Sequence, residues 1–176
     1  MTTSSILRKL EGGDRRSIGR SNEVVAEVLS CPELFGALFA GLSVDDPVVR
    51  ARAADAVEKI SAIHPKYLHP YRAALIGELA RCGQKEVRWH VAQMLPRLQW
   101  NSGERQVVYR ILAGYLRDSS SIVKTFAMQG LADFTTQAPE RRPAVLRRLQ
   151  NLTAHGTPSM RARGRKLLVD LSRTSP

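Results

Sequence analysis

The sequence predicts an all-α fold, and three observations predict it: a segment recurring four times, a helical stripe of apolar residues inside each copy, and turn-forming residues ahead of every stripe. Val49, Val87, Val123 and Met160 mark the copies, at separations of 38, 36 and 37 residues. Four positions beyond each anchor stand Ala53, Val91, Ala127 and Gly164. Eight and eleven beyond stand Val57, Leu95, Leu131 and Leu168, then Ile60, Leu98, Phe134 and Leu171. Offsets 0, 4, 8 and 11 fall on one side of a helix that turns about 100° per residue, so each copy reads as an amphipathic helix.

The elements follow in order. A short N-terminal helix and a second over Asn22 to Leu29 form a cap, residues 1–31, and Gly12-Gly13-Asp14-Arg15-Arg16 reads as a turn leading into a charged helix start. Four units follow at about 32–64, 66–100, 102–138 and 140–173, in one domain spanning 1–176. In each, a first helix (ELFGALFAGL, PYRAALIGELA, RQVVYRILAGYL, AVLRRLQNLTA) precedes a breaker: Asp45-Asp46, Gly83-Gln84, Ser119-Ser120 or Gly156-Thr157. Such residues favour turns and helix N-caps, and Pro47 and Pro158 suit a first helical turn. Second helices are expected to begin near Pro47, Lys85, Ser120 and Pro158. His64-Pro65, the Trp100–Gly103 turn and Ala138-Pro139 separate the units.

This two-helix unit, with an aspartate turn and then V-R followed by small and apolar residues in DDPVVRARAADAVEKI, resembles the HEAT repeat over residues 32 to 173. The resemblance implies a short right-handed α-solenoid of about four helix pairs, with the second helices lining the surface that such arrays offer to partners. The sequence departs from the pattern in its shorter period, in keeping aspartate in the first turn only, and in Pro96, which interrupts the second copy's helix. The W-x-x-L-G-x-x-Y pattern of tetratricopeptide repeats is missing.

Composition bounds the function. The chain has 176 residues, 43% of them hydrophobic, enough for a sizeable core. MTTSSILRKL lacks a basic stretch followed by an apolar one, and LFGALFAGL is too short to span a bilayer, so a cytoplasmic protein, monomeric and away from the membrane, is expected. Cys31 and Cys82 fit no metal or disulfide spacing and read as free thiols, buried or half-buried. The net charge of +11 is uneven: residues 1–80 hold ten basic and ten acidic residues, 81–120 seven and three, and 121–176 ten and three. Arginine outnumbers lysine 21 to 6, which favours planar pairing with carboxylate or phosphate. The gradient points to an acidic partner.

Candidate functional residues emerge by subtracting what the repeat requires. Arg50, Arg88, Lys124 and Arg161 follow the anchor in every copy, a structural ladder bonding turn carbonyls and carboxylates of neighbouring repeats. Trp89, at offset 2, points nearly opposite the stripe and has Ala51 and Thr125 at equivalent positions. It either anchors a partner or closes a junction against Phe126. Offsets 3 and 6 add Arg52, His90, Phe126 and Arg163, then Asp55, Gln93, Gln129 and Lys166, so the expected partner-binding set is Arg52, Trp89, Gln93, Gln129, Arg163 and Lys166. Arg147, Arg148, Arg161 and Arg165 form a candidate anion-binding set.

Chemistry finds little support. His64 and His69 lack helical ligand spacing, His155 suits a helix C-terminus, and no catalytic or phosphate-cradle motif occurs, so no metal, cofactor or enzyme is expected. Trp89, Trp100 and Asp133 loosely echo the helical-repeat DNA alkylation-repair glycosylases, and no His-Glu dipeptide matches the HEAT-type iron hydroxylases. The leading expectation is a non-catalytic scaffold binding an acidic protein or peptide along the second helices. Nucleic-acid binding through ERRPAVLRRL and SMRARGRKL is the alternative, and a repair enzyme comes third.

Overall fold

The structure is a computed structural model that describes residues 3–14 and 17–173. Ten α-helices and intervening 3-10 turns make up its secondary structure, with no strand among the described residues. The chain divides into two units, Met1–Leu98 and Gln99–Pro176, each holding two of the four copies. No helix among the described residues is long and apolar enough to cross a membrane.

The first unit contains α1 (Thr3–Arg8), α2 (Ser21–Ser30), α3 (Phe35–Ala40), α4 (Pro47–Ile63), α5 (Arg72–Ile76) and α6 (Lys85–Met94). Its centre is α4, packed against α2, α3 and α6. The Asp46 carboxylate caps α4 by accepting from the Val48 and Val49 amides at 2.7 and 3.3 Å, and Pro47 fills the first turn. Val49, Ala53, Val57 and Ile60 are all buried, as is Ala56 beside them. In α6 the stripe Val87, Val91 and Leu95 is buried too, but the α-helix stops at Met94 and tightens into a 3-10 turn, Leu95–Arg97. Pro96 offers no N–H to the preceding turn, so Leu98 reaches the core from extended backbone.

The first helices of this unit are shorter than their apolar patterns suggest. ELFGALFAGL supplies only α3, flanked by 3-10 turns, and PYRAALIGELA only α5, between the turns Pro65–Tyr71 and Leu79–Arg81. Aromatic packing substitutes for helix length. Phe39 stacks on Tyr71 at 3.9 Å between ring centres, and Phe35 meets Tyr67 edge-on at 5.3 Å, tying α3 to the Pro65–Tyr71 turn.

The second unit contains α7 (Ser102–Tyr115), α8 (Ser121–Phe134), α9 (Arg142–His155) and α10 (Pro158–Arg173). A capping box starts α7: Asn101 Oδ1 accepts from the Glu104 amide at 2.9 Å, and Glu104 Oε2 from the Asn101 amide at 3.1 Å. Here α8 is central, contacting α7, α9 and α10, with Val123, Ala127, Leu131 and Phe134 buried. In α10, Met160, Gly164 and Leu171 are buried, but Leu168 is only half-buried and Leu167 takes its place. Offsets 7 and 8 lie on opposite edges of the stripe at about 100° per residue, and in this copy the offset 7 edge is the covered one. A Cβ at Gly164 would collide with Thr153 Oγ1, which explains the glycine where α9 and α10 meet.

Leu95→Ala and Leu131→Ala should each cost about 2 to 5 kcal/mol of unfolding free energy, as truncation of a fully buried leucine does. Urea denaturation monitored by helicity measures this, and unchanged midpoints in both variants would reject the stripe.

Candidate functional site

The basic residue after each anchor binds turns in the first unit. Arg50 donates from Nη1 to the carbonyls of Val44 and Asp45 at 2.7 and 3.1 Å, and from Nε to Gln84 Oε1 at 2.8 Å. Gln84 returns a bond to the Pro47 carbonyl at 2.7 Å, joining the turns that start α4 and α6. Arg88 donates to the Cys82 carbonyl at 2.8 Å, again in the turn before its own helix. In the second unit Lys124 is half-buried and Arg161 is exposed.

Arg52, expected among the partner contacts, is only 5% exposed. Its guanidinium donates to the backbone carbonyls of Leu10, Gly12, Asp14 and Ser17 at 2.8, 2.7, 3.2 and 3.1 Å, with a further bond to that of Glu11. The chain between α1 and α2 therefore wraps the end of this side chain. Gly12 and Gly13 form the expected turn with φ of +74° and +75°, and a Cβ at Gly19 (φ +51°) would come within 2.6 Å of the guanidinium carbon. The charged helix start at Arg15-Arg16 lies outside the described residues. Arg52 is a clamp on the cap, and it is removed from the surface.

Trp89 does not project freely either. It is half-buried, and its ring lies 5.5 Å from that of His90 at 57°. The equivalent residues Ala51 and Thr125 are buried, and only Ala162, in the last copy, is exposed. Gln93 is half-buried and folds back along α6, its Nε2 donating to the Trp89 carbonyl at 3.3 Å and lying 3.5 Å from His90 Nδ1. His90, expected on the same exposed face, is buried, only 8% exposed. Burial pushes its pKa down to about 4 from 6.5, opposed by the Asp55 carboxylate and reinforced by the Lys59 and Arg97 cations. Asp55 accepts from Lys59 at 2.7 Å and from the Ser21 hydroxyl, while Arg97 holds the end of α4 through the Glu58 carbonyl at 2.6 Å and the Glu58 carboxylate. Offsets 3 and 6 of this unit thus form a polar seam among α2, α4 and α6.

In the second unit Arg163 donates to Gln129 Oε1 at 2.8 Å and sits over the Phe126 ring, 5.5 Å from its centre. Gln129 in turn donates to Asp133 at 2.8 Å. Lys166 is exposed beside them on α10. Arg147 and Arg148 on α9, and Arg161 and Arg165 on α10, are all exposed. Of the six expected partner residues, Lys166 alone is fully exposed, whereas all four of the anion-binding set are.

The residues set aside for chemistry have structural settings. Trp100 is buried, only 6% exposed, whereas Asp133 is exposed. His64 stacks on Tyr67 at 5.1 Å, and His155 is exposed at the end of α9. Both cysteines are free and half-buried, and Cys31 donates to Glu33 at 2.8 Å, which raises the thiol's pKa. One buried acid escaped the sequence reading: Glu86, in the first turn of α6, has an Oε2 with no hydrogen-bond partner among the described residues. Its equivalents Val48, Ile122 and Ser159 carry no charge, and that mismatch is its one signal in the sequence. The α6 dipole favours a negative charge at this end.

No family model and no curated protein matches the chain. Among solved structures, it resembles the crystal structure of an engineered protein from the Northeast Structural Genomics Consortium, with a TM-score of 0.65 and 16% identity, covering 97% of this chain and 79% of that one. That likeness is one of fold.

Arg52→Ala should cost about 3 kcal/mol or more, because it strands several carbonyls that now share a charged donor. Limited proteolysis should then cut between residues 10 and 19. Intact protection at wild-type stability would show that the clamp is idle. His90 gives a pH signature. Its folded pKa lies below its unfolded one, so the unfolded chain binds the proton first. Stability is therefore complete above about pH 6.5 and is lost as pH falls toward about 4. Urea midpoints measured through that window should fall more steeply for the wild type than for His90→Gln; parallel slopes would reject the assignment.

Proposed function

We propose that this protein is a non-catalytic interaction scaffold, a short right-handed α-solenoid of HEAT-like repeats, that binds an acidic protein or peptide through its second helices. One observation carries the reading. Among the described residues, the second unit exposes eight arginines and lysines against three carboxylates, whereas the first exposes five against seven. Positive charge left at the surface attracts an anionic partner and speeds its approach. On the second helices, Arg161, Arg165 and Lys166 supply this charge, and Phe126 with Arg163 adds an apolar and cationic neighbour already held in place. Trp89 supplies a half-buried ring on the first unit. The ladder of Arg50 and Gln84 between two successive copies supports the repeat reading.

A protein partner is favoured over nucleic acid because the exposed cations of α10 have no exposed aromatic side chain on that helix to stack on bases. Binding of the full-length chain to poly-L-glutamate, to a single-stranded oligonucleotide and to a duplex, each over a salt series, tests the choice. Poly-L-glutamate should be retained and released by salt, since exposed charges are screened within about 10 Å at 0.1 M. Arg161→Glu with Arg165→Glu should abolish retention at unchanged helicity. Retention of the oligonucleotides alone would replace this reading with the nucleic-acid one, and equal retention by the variant would return these arginines to an ordinary solvated face.

A further inference from the structure

A second surface lies on the opposite member of each helix pair. Between α7 and α9 runs a groove of about 440 Å³. Ala113 and Leu116 line it from α7 and its C-terminal turn, Ala144 and Leu152 from α9, and Arg117, Arg147 and Arg148 add cations. The sequence of α9 accounts for this. Val145 and Leu149 turn into the core, so Ala144, Arg148 and Leu152, spaced by four, form a stripe alongside that the core does not use. Ala113 and Ala144, one from each helix, keep the lining short.

The three arginines are exposed, and none of their guanidinium groups has a hydrogen-bond or ion-pair partner among the described residues. That separates them from Arg105, which holds the Gln137 carbonyl at 2.6 Å, and from Arg163. Among the described residues no carboxylate lines the groove, where three like charges stand together. The floor is aliphatic, with no aromatic ring to stack on a base, and guanidinium groups bind carboxylates in paired, bidentate geometry.

We propose that the α7–α9 groove docks an amphipathic acidic peptide segment, its aliphatic side chains on Ala113, Leu116, Ala144 and Leu152 and its carboxylates on Arg117, Arg147 and Arg148. The volume admits a few side chains of an extended or helical segment. This surface shares no residue with the α8–α10 face and stands apart from the reading given to that face.

The probe is a fluorescein-labelled twelve-residue peptide with leucine and glutamate at helical spacing, followed by anisotropy with the full chain and compared with a hexaglutamate of matching charge. The leucine-containing peptide should bind about tenfold tighter than hexaglutamate. Arg147→Glu with Arg148→Glu, or Arg117→Glu alone on the other wall, should weaken it about tenfold or more, the size expected of a central interface contact. Ala144→Phe, which fills the floor without altering charge, should weaken the leucine peptide and leave hexaglutamate unchanged. Lys66→Glu with Arg81→Glu changes charge equally in the first unit and should have no effect. Equal affinity for the two peptides, indifference to the α9 and Arg117 reversals, or equal weakening by Lys66→Glu with Arg81→Glu would each overturn the proposal. Displacement of the peptide by an oligonucleotide at lower concentration would overturn it in favour of a phosphate-binding groove.

Discussion

The constraint that organises both units is that an amphipathic helix with a broad apolar side cannot cover that side alone. In the first unit α4 meets α2, α3 and α6; in the second, α8 meets α7, α9 and α10. Each carries one of the recurring apolar stripes, and each has that stripe buried to within a few per cent. Burial of a leucine-sized side chain contributes about 1.5 to 3 kcal/mol, so a helix enclosed by three neighbours anchors the rest of its unit. The small residues follow from the same demand. Ala53, Ala56, Ala127, Gly130 and Gly164 are all buried, and at Gly164 a Cβ would meet the side chains of Thr153 and Met128.

The abundance of arginine has two separate origins in this structure. Arg50, Arg52, Arg88, Arg97 and Arg105 turn their guanidinium groups onto backbone carbonyls, as caps for turns and helix ends. The planar fork with several donors does this better than an ammonium group can. Arg147, Arg148, Arg161 and Arg165 do none of it and remain at the surface of the second unit. Net charge alone merges these populations, and it is the second that bears on partners.

Much of the architecture was legible in the sequence because the repeat imposes it. The starts at Pro47, Lys85 and Pro158 coincide with expectation, and Ser120 becomes the residue before α8, which begins at Ser121. Leu168 was misread because a one-residue choice between offsets 7 and 8 cannot be made from hydrophobicity when Leu167 and Leu168 are both leucine. The candidate site was less legible. Placing offset 3 at the surface treats α4 as a bare cylinder, whereas the segment between α1 and α2, with no copy elsewhere in the chain, covers that side and buries Arg52. Likewise His90 is buried by the packing of its unit, which helical periodicity does not encode, while Gln93 bonds back along α6 to the Trp89 carbonyl. The groove between α7 and α9 was only half visible: Arg147 and Arg148 were marked by their charge, while Arg117, from another helix pair member, becomes their neighbour only through packing.

The placement of the two tryptophans has a practical consequence. Trp89 belongs to the first unit and is partly open to solvent, whereas Trp100 belongs to the second and is enclosed. Only ten residues separate them along the chain, yet each reports on a different body of contacts. Variants retaining one indole at a time would resolve the melting of the halves by colour and quenching, with no label attached. The molecule thereby carries an internal gauge of its own cooperativity: coincident traces mean that the halves unfold as one, and displaced traces mean that one outlasts the other.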